Sequence, residues 1–167
     1  MPRPHALLDH VTAISRPGAG RAAADQPSAR HLSVTFETGR SGLLDPQERR
    51  AQVWAEVLES LQETRQPAYV EIDPESNLIT ELLLPIRCTV ARVTPIKDGV
   101  EVSLVISQAR HFLRRTNPDF ALLRRSLEEA RKSGAELFVT ENDEHEIIDV
   151  RPVMGKSSSK QPKKGRS

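Results

Sequence analysis

Two groups of cations carry the clearest chemistry in this sequence. Lys156, Lys160, Lys163, Lys164 and Arg166 lie among Ser, Pro and Gly with no acid between them. Such side chains neutralise phosphates and release their counterions, which gives an affinity blind to sequence and sensitive to salt. The second group is Arg110, Arg114 and Arg115 around Phe112, followed by Arg124 and Arg125. Cations beside an aromatic ring suit phosphate contact combined with base stacking. Phe112 and Tyr69 are the available platforms, because Trp54, Phe120 and Phe138 fall at core periodicity. Plainer readings stand beside both groups. The tail is also what a solubilising end looks like. Arg124 with Glu128 and Arg125 with Glu129 have the i, i+4 spacing of a solvated helix face.

Other chemistries are harder to place. The five histidines, at positions 5, 10, 31, 111 and 145, are scattered, and no nucleophile is flagged by its neighbours. Glu141, Asp143, Glu144, Glu146 and Asp149 surround His145, but their spacing fits neither a calcium loop nor a His–Glu zinc motif. They read as a polar turn, so neither a metal nor a cofactor is expected. Gly155-Lys156-Ser157 resembles the end of a phosphate-binding loop, yet Val150 stands where the first glycine is required. Cys88 sits among apolar neighbours and reads as a buried, inert thiol. The expected function is a small non-catalytic binding module that contacts nucleic acid. The alternative is a protein-interaction adaptor working through a sheet edge or the N-terminal segment. There Leu32, Val34 and Phe36 alternate with polar residues and are suited to adding a strand to a partner. An enzyme without a visible motif ranks third.

The elements that would position these residues follow from periodicity. Pro2, Pro4, Pro17 and Pro27 with Gly18 and Gly20 punctuate the first 30 residues, so 1–44 is predicted to be a flexible arm with one strand at 31–38. Residues 45–153 are predicted to form a single α+β domain. A helix opens at Asp45, Pro46 and Glu48 and carries Val53, Trp54, Val57, Leu58 and Leu61 at helical spacing. Strands follow at 68–73 and 78–93, the second bent or split at Pro85, and Asp98-Gly99 marks a hairpin before a strand at 100–106. A second helix runs from Asn117-Pro118-Asp119 to Gly134, and strands at 136–140 and 146–153 close the domain. Three strands, a helix and two strands is the order of an OB-like barrel, and a sheet with two helices is the other option. No internal repeat is evident.

Composition sets the wider limits. Hydrophobic residues make up 37% of the 167, a deficit concentrated at the two ends. Residues 154–167 carry five cations and no acid and are predicted to be a disordered basic tail. The body is net acidic, so the basic segments become the favoured contact points for an anionic partner. A single cysteine excludes an intrachain disulfide. No apolar run approaches the ~20 residues of a membrane span, and no secretory signal is visible. A cytoplasmic protein is expected.

Overall fold

The computed structural model describes residues 5–16 and 30–153; the basic tail lies outside the described residues. The chain runs β1 (His5–Ser15), β2 (Leu32–Phe36), β3 (Ser41–Leu44), α1 (Arg49–Thr64), β4 (Pro67–Ile72), β5 (Ile79–Leu83), β6 (Ile86–Ile96), β7 (Gly99–Leu104), β8 (His111–Arg114), α2 (Phe120–Ser133), β9 (Glu136–Glu141) and β10 (Ile147–Pro152). The strands form two antiparallel five-stranded sheets, ordered β3-β2-β1-β4-β5 and β8-β7-β6-β9-β10. The α+β class is as expected. Neither sheet closes into a barrel.

Read in chain order, the two sheets have one topology: three strands, a helix, two strands, twice. The repeat extends to register. Leu7 faces Val70 as Ile86 faces Val139, and Val34 faces Gly42 as Val102 faces His111. A bulge after Val11 in β1 has its counterpart after Val90 in β6. A second pair of bulges falls at Thr80 in β5, opposite Glu71 and Ile72, and at Ile148 in β10, opposite Thr140 and Glu141. Each unit also has one parallel bridge from its third strand to the residue just ahead of its fifth, Leu43 to Leu78 and Phe112 to Glu146. Left-handed backbone at Asn77 matches that at His145, and Arg65 matches Gly134. An internal repeat is therefore present where none is evident in the sequence. What recurs is the spacing of inward apolar positions, with few identities.

Each unit has its own core. Leu58 of α1 packs with Val34, Val70 and Ile72, and Leu127 of α2 packs with Val102, Leu113 and Val139. Both leucines are completely buried. This division corrects the predicted boundaries. Residues 5–15 are not an arm but the central strand of the first sheet, and β2 lies between β1 and β3. The alternation that makes β1 a strand is masked by Asp9, which points inward. Its carboxylate accepts hydrogen bonds from the backbone N–H groups of His10 (2.8 Å) and Thr38 (2.9 Å), so its burial is compensated. Pro85 separates two strands rather than bending one. It lacks an N–H and sits in the Leu84-Pro85 joint between the sheets. Asp45 accepts from the N–H of Gln47 (2.9 Å) in a turn ahead of α1, whose N-cap is Glu48. The second helix begins after Asp119 and ends at a left-handed Gly134, as predicted.

Candidate nucleic-acid interface

The second sheet has one face against α2 and one facing away. In β7, Val100, Val102 and Leu104 point into the core, which leaves Glu101 and Ser103 on the outer face. In β8, His111 and Leu113 point in, and Phe112 and Arg114 point out, each half-buried. The register continues the row onto β6, where Arg92 faces Ser103 and Thr94 faces Glu101. Exposed Arg110 enters at the start of β8, and Lys97 and Arg115 border the same face, where the Arg115 N–H bonds Asp98. Arg92, Arg110 and Arg114 thus share this face with one aromatic ring, with Glu101 and Glu146 as the acids among them.

The cations are held loosely. The Arg114 guanidinium lies 4.9 Å from the centre of the Phe112 ring and donates to Glu146 at 3.2 Å. Arg110 stands 4.0 Å from Glu101 and is largely exposed. Exposed pairs of this type contribute about 0–1 kcal/mol, so exchanging a carboxylate for a phosphate costs little. The corresponding face of the first sheet carries Ala13, Ser33, Thr35, Ser41 and Leu43, with neither a cation nor an aromatic among them. Charge and ring are therefore features of the second unit, not of the fold.

Several predicted site residues lie elsewhere. Arg124 and Arg125 are on α2, paired with Glu128 (3.2 Å) and Glu129 (2.9 Å), and do not share the strand face. Arg115 packs over Phe120, its guanidinium 5.9 Å from the ring centre. Tyr69 is 4% exposed, on the helix-free face of the first sheet; it donates to Glu71 at 2.9 Å and lines a cavity of about 390 Å³ together with Arg114 and Glu146, but at that burial it is no stacking platform. Burial, the Glu71 bond and nearby Asp149 push its phenol well above the ordinary range. Leu32, Val34 and Phe36 are core residues at 8%, 0% and 1% exposure, and β2 is hydrogen-bonded on both sides. They cannot add a strand to a partner. Lys156, Lys160, Lys163, Lys164 and Arg166 lie outside the described residues.

Two further features escaped sequence reasoning. The first is a cleft of about 830 Å³ between the units, with Leu8, His10 and Leu61 on one side and Arg87, Phe138 and Arg151 on the other. Arg87, Phe138 and Arg151 form a single cross-strand row. Arg87 is paired with Glu136, and Arg151 with Asp149 at 3.0 Å. The second is a polar cluster beneath the 142–146 turn. His111 Nδ1 contacts Glu141 Oε2, His145 Nδ1 lies 3.0 Å from Glu141 Oε1, and His111 Nε2 lies 2.9 Å from Ser107 Oγ. Residues from β8, β9 and two loops meet there, so no local motif announces it. No protein-family model, curated protein or solved structure matches the chain.

Proposed function

We propose that each repeat is an OB-type unit and that the second binds single-stranded nucleic acid on the outer face of β6, β7 and β8. Three features support the OB-type reading. The first strand of each unit is long and shared, pairing with the fourth strand along its first half and with the second strand beyond the bulge. The helix stands between the third and fourth strands. A parallel bridge brings the third and fifth strands together at one point while leaving the sheet open. Partly open five-stranded units of this order bind oligonucleotides on the face of strands two and three and with the loops joining strands one to two and four to five. Here those are β7, β8, the Lys97-Asp98 turn and the 142–146 turn.

The observation that carries the reading is the convergence of Arg92, Arg110, Arg114 and Phe112 on that face. Base stacking on one ring contributes about 1–3 kcal/mol. The arginines supply phosphate contacts, and the five cations of the tail add affinity without choosing a sequence. The role is non-catalytic binding. The adaptor reading loses the β2 strand, which the first unit's own sheet takes up.

The test is fluorescence anisotropy with a labelled single-stranded oligonucleotide across a salt series. The full chain is expected to bind with log affinity falling linearly in log salt. Arg110→Glu with Arg114→Glu is expected to weaken binding by about tenfold or more and to flatten the salt slope by roughly 0.7 per lost contact. Removing residues 154–167 is expected to lower affinity while leaving the Phe112→Ala defect in place. An affinity unchanged by the double charge reversal would refute the interface.

A further inference from the structure

The cluster beneath the 142–146 turn asks for an explanation that the fold does not supply. The two units provide an internal control. By register, His111 occupies the place of Gly42, Glu141 that of Ile72, and His145 that of Asn77. In the first unit this corner is apolar. A Cβ on Gly42 would lie 2.6 Å from the Ile79 side chain and 3.3 Å from that of Ile72, so the two isoleucines fill the space over the glycine. The same sheet is therefore built with glycine and isoleucine where the second unit has His111 and Glu141, and with Asn77 in the turn where it has His145. The second unit instead buries an imidazole, 1% exposed, against a carboxylate that is 12% exposed. A buried polar pair is weak support for stability compared with well-packed apolar side chains. Stability thus does not account for a histidine and a glutamate in place of the glycine and isoleucine at this corner.

We infer that His111, Glu141 and His145 form a binding site for one divalent transition-metal ion of the zinc type. One ring nitrogen of each histidine and one carboxylate oxygen of Glu141 lie within 4.8 Å of one another. Imidazole and carboxylate ligands suit zinc, and two histidines with one glutamate are the three-protein-ligand set that leaves a fourth position open. With metal–ligand bonds of about 2.0–2.1 Å, tetrahedral ligand atoms stand roughly 3.3 Å apart. The 3.0 Å between His145 Nδ1 and Glu141 Oε1 is close to that value. His111 offers Nδ1 to the ion, and its Nε2–H donates to Ser107 Oγ, which fixes ring orientation and tautomer. His145 is half exposed, so the open position faces solvent.

The competing explanation is a hydrogen-bonded relay from Ser107 through His111 to Glu141, the order of a nucleophile, its base and an orienting carboxylate. Two details disfavour it. A relay uses one imidazole, whereas both oxygens of Glu141 are engaged by separate histidines. Ser107 Oγ also accepts from the Ala109 N–H at 3.2 Å, which ties it into its own loop. The other grouping of this kind, Asp9, His10 and Glu37, is weaker, because both oxygens of Asp9 are already occupied by backbone N–H groups.

The experiment is a titration of the metal-free full chain with Zn²⁺, without oligonucleotide, by competition against a chromophoric chelator. Co²⁺ absorption serves as the geometric readout. One ion per chain and a tetrahedral Co²⁺ spectrum are expected. The informative variant is His145→Asn. Asparagine holds the equivalent left-handed position in the first unit, at Asn77, so the turn is kept while a ligand is lost. Its Zn²⁺ affinity is expected to fall at least about tenfold, Glu141→Gln should behave likewise, and His10→Gln should bind as the parent does. Absence of stoichiometric Zn²⁺ binding by the parent chain, or unchanged affinity in His145→Asn, would overturn the assignment. Because no nucleic acid is present, neither outcome bears on the oligonucleotide interface.

Discussion

Cys88 lies in β6 at 3% exposure, and its thiol is pushed up to about 11 by burial, with the carboxylates of Glu141 and Glu136 adding to the effect. The thiolate is the reactive form, so the folded chain is expected to resist a thiol reagent at pH 8 and to react once unfolded. Linkage fixes the sign of the stability effect. The unfolded chain releases this proton near pH 9, the folded one near 11, so stability falls as pH rises between them. Denaturant midpoints from pH 8 to 11 measure this, and the decline attributable to Cys88 should vanish in Cys88→Ala. Fast native-state labelling at pH 8 would contradict the burial. The inertness of this thiol is legible in its apolar neighbours. The outward placement of Phe112 and Arg114 follows from strand alternation once β8 is recognised. The meeting of His111, Glu141 and His145 is not legible, because residues 30 apart converge only through strand pairing and a turn.

Gly99 opens β7 and tests the pairing of elements. Its φ is +152°, and a Cβ there would lie 2.0 Å from the backbone carbonyl oxygen of Leu113 in β8. Neither strand can yield without breaking the ladder, so Gly99→Ala is expected to cost more than about 2 kcal/mol. Gly39→Ala provides the contrast. Its φ is +86° with nothing within 4 Å, so only the backbone penalty of roughly 1 kcal/mol applies. Urea unfolding of the two variants measures the difference, and equal losses would contradict the close approach of β7 and β8. The Asp98-Gly99 hairpin, α2 with its closing Gly134 and the last two strands are all readable from turn residues and periodicity. β1 is not, because buried Asp9 interrupts its inward apolar positions and the long connection to β2 hides their pairing. The start of α1 is displaced for a similar reason: Asp45 has the chemistry of a cap, but its side chain closes a turn onto Gln47.

Two units of like topology, each with a separate core, make up the described molecule. Leu58→Ala and Leu127→Ala should each cost about 2–5 kcal/mol, since each empties a fully buried site. Their effects should add to within about 0.5 kcal/mol, because the residues belong to different clusters. Strong non-additivity in denaturant unfolding would show that the cores are not independent. The repeat is hidden from sequence because only apolar spacing is shared, and the 16-residue connection from Arg16 to His31 lengthens one unit relative to the other. The proposed interface rests on the asymmetry between the units. One unit carries plain polar residues and a packed isoleucine corner, while its copy carries the arginines, the half-buried outward ring and the two histidines. The most direct test is an NMR titration of the full chain with a single-stranded oligonucleotide at moderate salt. Amide shifts are expected to concentrate at Arg92, Glu101, Ser103 and 110–115, with the 142–146 turn following, and the outer face of β1, β2 and β3 should stay unmoved. Shifts confined to residues 154–167, or centred on the cleft between the units, would contradict the account.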